Sequence, residues 1–317
     1  MTVPRPSKTA SKKASSKTTG APRARRAAPA DPEGVAYVDG DVLALSKARV
    51  PLTDRGYLLG DGVFETMRTS NGHIFRLEEH TQRMVRGLRA IGLDASLQDE
   101  FTAAVQALHK EGRRRFGDEL YIRVMVTTGP MEDVLGTGRG VAVTGLCKRF
   151  KPYPMQYYAR GVSLIVSKQR KDSRSPLSPI KTLSFLPYIA ARREAHAVTA
   201  HDAVLRNEED RVAEATTSNI FAIKDGTLYA PGESEGAIPG VTRAAVLQLV
   251  RELDLKVREP LTMRTLRSAD ECFLTNTTGG IVPVTLFDDR PVGEGAKGEY
   301  TTQLMHALEA EIRGADA

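Results

Sequence analysis

At 317 residues, 41% of them hydrophobic, the chain can bury the cores of about two ordinary domains. No apolar run approaches the roughly 18 residues of a membrane-spanning helix, and the N-terminus lacks the apolar stretch of a signal peptide, so a cytoplasmic protein without a membrane partner is expected. The net charge of +6 belongs to the first 30 residues, which hold eight basic and no acidic side chains; the remainder carries 37 basic against 39 acidic groups, so no specific nucleic-acid partner is expected.

Residues 1–34 are rich in Ser, Thr, Ala, Pro and Lys and have almost nothing to bury, which predicts a disordered basic tail. A solvated tail without a dedicated partner is preferred over non-specific binding to anionic surfaces and over a transit peptide. From Gly34 the pattern alternates, in VAYVDG, DVLAL and VFETMRTSNGHIFRL, and Asn71-Gly72 between two strand-like runs predicts a hairpin. Helical periodicity in LEEHTQRMVRGLRAIGL and DEFTAAVQALHKEGRRR precedes a strand in ELYIRVMVTTG. Residues 35–150 therefore read as an N-terminal α+β domain. The polar, irregular stretch 151–160 (KPYPMQYYAR) reads as a linker.

Residues 161–317 form the expected C-terminal domain. It opens with the strand GVSLIVSK and continues with a lysine-bearing segment, SPIKTLSFLPYIAARREAHA. The strands DAVLRN and NIFAIKDGTLYAP follow, joined by a glutamate-bearing loop, then the helix VTRAAVLQLVREL and the strand ECFLTN. Strands and helices mix without βαβ regularity or internal repeats, so the fold class is α/β of the α+β type, two domains with mixed sheets. Neither GxGxxG nor GxxxxGK[ST] is present, which removes support for a dinucleotide or P-loop site. Cys147 and Cys272 stand far apart with no CxxC or histidine partner, so neither a disulfide nor a metal site is expected.

Three features carry chemistry. Lys181 sits among apolar and small residues, where burial would lower its pKa and supply a neutral amine. Taken alone, a lone lysine is more often solvated. Glu214 lies between Arg211-Val212-Ala213 and Ala215-Thr216-Thr217-Ser218-Asn219; an inward carboxylate and an ordinary turn glutamate are both open readings. In GAIPGVTRAAVLQLV a loop ends at Pro239-Gly240 and Val241-Thr242 open a helix, whose free N–H groups make an anion site or a plain helix start. An amine, an acid and a phosphate cradle together are what a pyridoxal cofactor requires.

In this order and spacing, KTLSFL, VAEATTSNIF and IPGVTR resemble the fold-type IV pyridoxal 5′-phosphate (PLP) enzymes, the class IV aminotransferase family. DRGYLLGDGVFETMR, FRLEEHTQRM and FLTNTTGGIVPV extend the resemblance over about residues 35–310. It implies PLP as cofactor, with Lys181 as the Schiff-base and proton-shuttling lysine, Glu214 paired with the pyridine nitrogen, and Arg83, Val241, Thr242 and Thr277 on the phosphate. It places the substrate, an amino acid or a 2-oxo acid, against Phe64, Tyr121, Arg123 and Thr278, with Arg123 of the Tyr121-Ile122-Arg123 run taking the carboxylate, and it implies a homodimer. Leu59 and Phe185 stand where many relatives carry tyrosines, and TTGPMEDVLGTGR lacks the arginine and histidine elements of D-amino-acid enzymes. Aminotransferase action, on branched-chain substrates among others, is favoured; 4-amino-4-deoxychorismate lyase is the alternative, and a non-catalytic binding module is a third reading that the retained cofactor residues oppose.

Overall fold

The computed structural model describes residues 34–131, 140–253 and 255–314. The expected basic tail, apart from Gly34, and positions 132–139 of the stretch TTGPMEDVLGTGR lie outside the described residues.

Alternating sequence between Gly34 and Arg149 folds into an antiparallel sheet of six strands in the order β2-β1-β6-β5-β3-β4. These are β1 (Val35–Val38), β2 (Asp41–Ala44), β3 (Gly62–Ser70), β4 (His73–Ile74), β5 (Leu120–Thr127) and β6 (Ala142–Arg149). A short helix, α1 (Arg55–Leu59), precedes β3, while α2 (Leu77–Ala90) and α3 (Leu97–Phe116) link β4 to β5. Asn71 and Gly72, at φ 50° and 78°, supply the two left-handed residues of the expected hairpin and set Thr69 opposite Ile74. On α3 the buried residues Phe101, Ala104, Val105, Leu108 and Gly112 recur every three or four positions, so one face packs with Leu120, Ile122 and Val124 of β5 in a single core.

The second sheet has nine strands: β7 (Val162–Lys171), β8 (Asp202–Asn207), β9 (Val212–Ala215), β10 (Asn219–Lys224), β11 (Thr227–Tyr229), β12 (Lys256–Arg258), β13 (Glu271–Asn276), β14 (Gly280–Phe287) and β15 (Arg290–Pro291). Its order is β12-β11-β10-β13-β14-β7-β8-β9, with β15 beside β14. The helices are α4 (Met155–Arg160), α5 (Leu186–Ala197), α6 (Val241–Glu252), α7 (Met263–Arg267) and α8 (Glu299–Arg313). Phe221 and Phe273 stack at 5.0 Å between ring centroids in the core beneath α6 and α8, and a second core that includes Ile220, Cys272 and Leu274 fills the opposite face.

Four features differ from the sequence reading. The stretch 151–160 is not wholly irregular, since α4 occupies its second half after Pro154. Glu214 lies on β9 rather than in a loop, opposite Leu205 of β8. β7, α5 and β8 form one βαβ unit with parallel strands, so the domain contains a crossover that its pattern as a whole conceals. Beyond Asn276, where periodicity names no element, the chain adds β14, β15 and α8.

Candidate active site

Two backbone bonds fix the segment that carries Lys181. The Phe64 N–H donates to the Lys181 carbonyl at 3.1 Å, and the Leu183 N–H donates to the Gly62 carbonyl at 2.8 Å. The lysine segment, which enters from the second sheet, is thereby stitched to β3 of the first. Lys181 Nζ lies 4.4 Å from the Phe64 ring centroid, and Arg123 Cζ lies 3.8 Å from the same ring. Burial, with Arg83 and Arg123 adding to it, lowers the lysine from its ordinary value to about 8, against the opposing pull of Glu65 and Glu214.

A cavity opens at this amine. Arg83, Lys181, Glu214, Val241, Thr242 and Thr277 all line it, which are the six residues expected on a cofactor. A second cavity is lined by Phe64, Tyr121, Arg123 and Thr278, the four residues expected on a substrate. Lys181, Phe185, Thr217, Asn276 and Thr277 line both, so the two spaces adjoin at the lysine.

Glu214 is buried on a strand, and its oxygens are individually engaged. Oε1 accepts from Lys171 Nζ at 2.5 Å and from the Tyr188 hydroxyl at 2.7 Å, while Oε2 accepts from the Ile238 N–H at 3.0 Å. With two acceptor directions per oxygen, Oε2 keeps one for a further donor. Desolvation and the adjacent carboxylate push the Tyr188 phenol well above its ordinary value, so it remains a donor. The α6 N-terminus begins at Gly240, an N-cap without a side-chain acceptor, which leaves the first N–H groups free for an anion. A Cβ at Gly240 would meet Asn219 Oδ1 at 2.1 Å, so glycine permits the close approach of this turn to β10. The Thr275 hydroxyl, buried against the same cavity, has no hydrogen-bond partner among the described residues.

Arg83 is held tightly from the first sheet. Its Nε and Nη2 donate to the two oxygens of Glu65 at 2.6 and 2.7 Å, and its Nη1 donates to the Pro239 carbonyl at 3.0 Å. His80 Nδ1 bonds Glu65 Oε2 at 2.7 Å. Burial alone would raise Glu65, but the charge and hydrogen bonds of Arg83, with His80, hold it well below the usual carboxylate range.

The amino-transferase class IV family profile matches residues 62–287. The chain belongs to the class IV aminotransferase family. The D-alanine aminotransferase of Bacillus licheniformis is 33% identical over 86% of this chain and 95% of its own. A putative branched-chain-amino-acid aminotransferase of Methanocaldococcus jannaschii is 32% identical over 84% and 93%. Among solved structures, the 4-amino-4-deoxychorismate lyase of Pseudomonas aeruginosa superimposes with a TM-score of 0.74 at 27% identity, covering 88% of this chain and 99% of that one.

As a class IV aminotransferase the chain is a PLP enzyme, and its residues fit that cofactor. A depressed lysine amine, a carboxylate oxygen with one acceptor direction left, an uncapped helix N-terminus and an unpartnered buried hydroxyl meet on one cavity. Sequence reasoning missed Glu65, His80, Lys171 and Tyr188. The signal for the first two was available: an acid in an apolar strand cannot be buried without a partner, and His80 and Arg83 share one face of a helix. Lys171 stands 43 positions from Glu214, and nothing local joins them.

Proposed function

We propose that this aminotransferase moves an amino group between an amino acid and a 2-oxo acid with Lys181 as its catalytic residue. The observation that carries the reading is the convergence of Lys181, Glu214 and the α6 N-terminus on one cavity. Lys181 would hold the cofactor through its amine, Glu214 Oε2 would accept from the pyridine N–H, and Arg83, Val241, Thr242 and Thr277 would bind the phosphate. When bound, PLP supplies an aldehyde that takes up amines and a protonated ring that accepts the electron pair left at a deprotonated carbon. With the cofactor bound, Lys181 Nζ as a free neutral amine would take the substrate's Cα proton as general base and, holding that proton, would serve as the general acid that returns it. Arg123 and Tyr121 receive the substrate carboxylate. Phe64 and Phe185 offer the substrate side chain an apolar wall, which suits aliphatic amino acids, the branched-chain ones included.

The lyase reading draws on the 27% identical lyase structure and on the short TLSFLP run that follows Lys181. One experiment separates the two. The purified protein should be yellow, borohydride should fix the cofactor to Lys181 in the peptide mass map, and an L- or D-amino acid should convert the bound cofactor in a half-reaction. A protein that stays colourless with added PLP would sink the enzyme reading. Pyruvate release from aminodeoxychorismate, with no amino acid changing the spectrum, would replace the transaminase by the lyase.

The working unit is proposed to be a homodimer, supported by an exposed apolar cluster around α1. A cytoplasmic location is supported by the two buried, unpaired cysteines and by the finding that no described helix is long and apolar enough to cross a membrane.

A further inference from the structure

Glu65 and His80 touch neither cavity. Glu65 projects from β3 on the same face as Val63 and Met67, which pack with Met84 and Leu88 of α2. The close approach of α2 is set at Gly87, where a Cβ would lie 3.1 Å from Val63 Cγ1. The carboxylate thus sits beside His80 and Arg83, with both Glu65 and His80 1% exposed. It receives three donors, the Arg83 Nε and Nη2 groups and His80 Nδ1, all within 2.6–2.7 Å. Burial keeps the imidazole neutral by lowering its pKa, so the proton on Nδ1 belongs to the tautomer that donates to Glu65.

A guanidinium has five N–H donors in a rigid plane. Glu65 takes one from Nε and one from Nη2, and Pro239, in the turn leading into α6, takes one from Nη1. The two that remain, one on Nη2 and one on Nη1, belong to a residue that lines the cavity at the α6 N-terminus. A buried carboxylate near an anion site repels the anion, so its presence needs a reason that outweighs the repulsion. Orientation supplies one: a bidentate pair removes the rotational freedom that an arginine would otherwise lose on binding.

We infer that Glu65 and His80 are positioning residues for the cofactor phosphate, aiming Arg83 at the α6 N-terminus. The inference rests on the PLP reading above. Its test compares two probes of the apoprotein by equilibrium dialysis, PLP and pyridoxal, which differ only in the phosphate. Glu65→Gln places an amide donor against a donor of Arg83 or His80. It should raise the Kd for PLP by about tenfold or more, the effect of misdirecting one charge-assisted hydrogen bond, while the Kd for pyridoxal stays within about twofold of the wild type. His80→Leu should act in the same direction, and His80→Asn, whose amide can donate from nearly the place of Nδ1, should restore PLP binding.

Equal weakening of both probes would show a purely structural role and overturn the inference. So would unchanged PLP binding, or tighter PLP binding in Glu65→Gln, which would make Glu65 a mere counter-charge. If Glu65→Gln fails to fold, the His80→Leu and His80→Asn pair decides by the same comparison. Failure of the PLP reading itself looks different: the wild-type apoprotein would then bind PLP no more tightly than pyridoxal.

Discussion

Lys181 owes its reactivity to its surroundings. In the unfolded chain its amine has the ordinary value of 10.5, and in the folded apoprotein about 8. Between those values the unfolded chain binds a proton that the folded chain does not, so this group's contribution to stability is fully unfavourable below about pH 8, rises with pH across that window and vanishes above 10.5. The same shift governs chemistry, because only the neutral amine attacks an aldehyde. The rate of PLP capture by the apoprotein, followed by stopped-flow absorbance, should rise about tenfold per pH unit below pH 8 and level off above it. A rate still climbing toward pH 10 would mean an unperturbed lysine. What could be read of this residue in advance was its motif, since KTLSFL, VAEATTSNIF and IPGVTR are contiguous strings. The lowering of its pKa by burial was legible too, from its apolar neighbours, whereas the parts played by Arg83 and Arg123 were not, because they reach it from other elements.

At the scale of elements, legibility followed the surface each element leaves to solvent. α2 and α3 each bury one face, and their periodicity marks them. β3 is buried at eight of its nine positions, so the alternation read in its sequence marks no exposed face, and Glu65 disappears among its apolar neighbours. Four small polar residues after Ala215 make the stretch around Glu214 read as a loop, yet β9 has already ended there and all four of its residues are buried. α3, unlike α2 with its Arg83 and His80, carries stability rather than chemistry. Leu108 on α3 is fully buried with Leu120 and Ile122 in the first core, away from both cavities. Leu108→Ala should cost about 2–5 kcal/mol in urea unfolding, through lost burial and the cavity left behind, while the Kd for PLP of the folded fraction stays at the wild-type value. A matching loss of cofactor affinity would show that the first sheet transmits strain to β3 and Arg83.

On the scale of the whole molecule, the surface beside α1 is one that a folded monomer does not explain. Leu52 is 77% exposed, Tyr57 70% and Leu186 70%, with Leu58 and Leu59 also exposed. They form one neighbourhood, because a Cβ at Gly56 would meet Leu183 Cδ1 at 3.1 Å and one at Gly60 would meet Ser184 Oγ at 2.7 Å, which seats α1 against the segment after Lys181. Clustered exposed apolar groups of this size mark an interaction surface, and a second copy of the chain is the proposed partner, through a two-fold, self-complementary contact. Light scattering should give a mass of about 69 kDa, twice that of the 34.5 kDa chain. Replacing Leu52 and Tyr57 together by glutamate should give a folded monomer, since both side chains already face solvent within one chain. Because Phe185, next to Leu186, lines both cavities, burying this surface would also shield the mouth above Lys181. The monomeric variant should therefore release PLP on dialysis faster than the wild type. A wild-type protein that runs as a 34.5 kDa monomer at micromolar concentration would remove the dimer and leave the cofactor site to close itself.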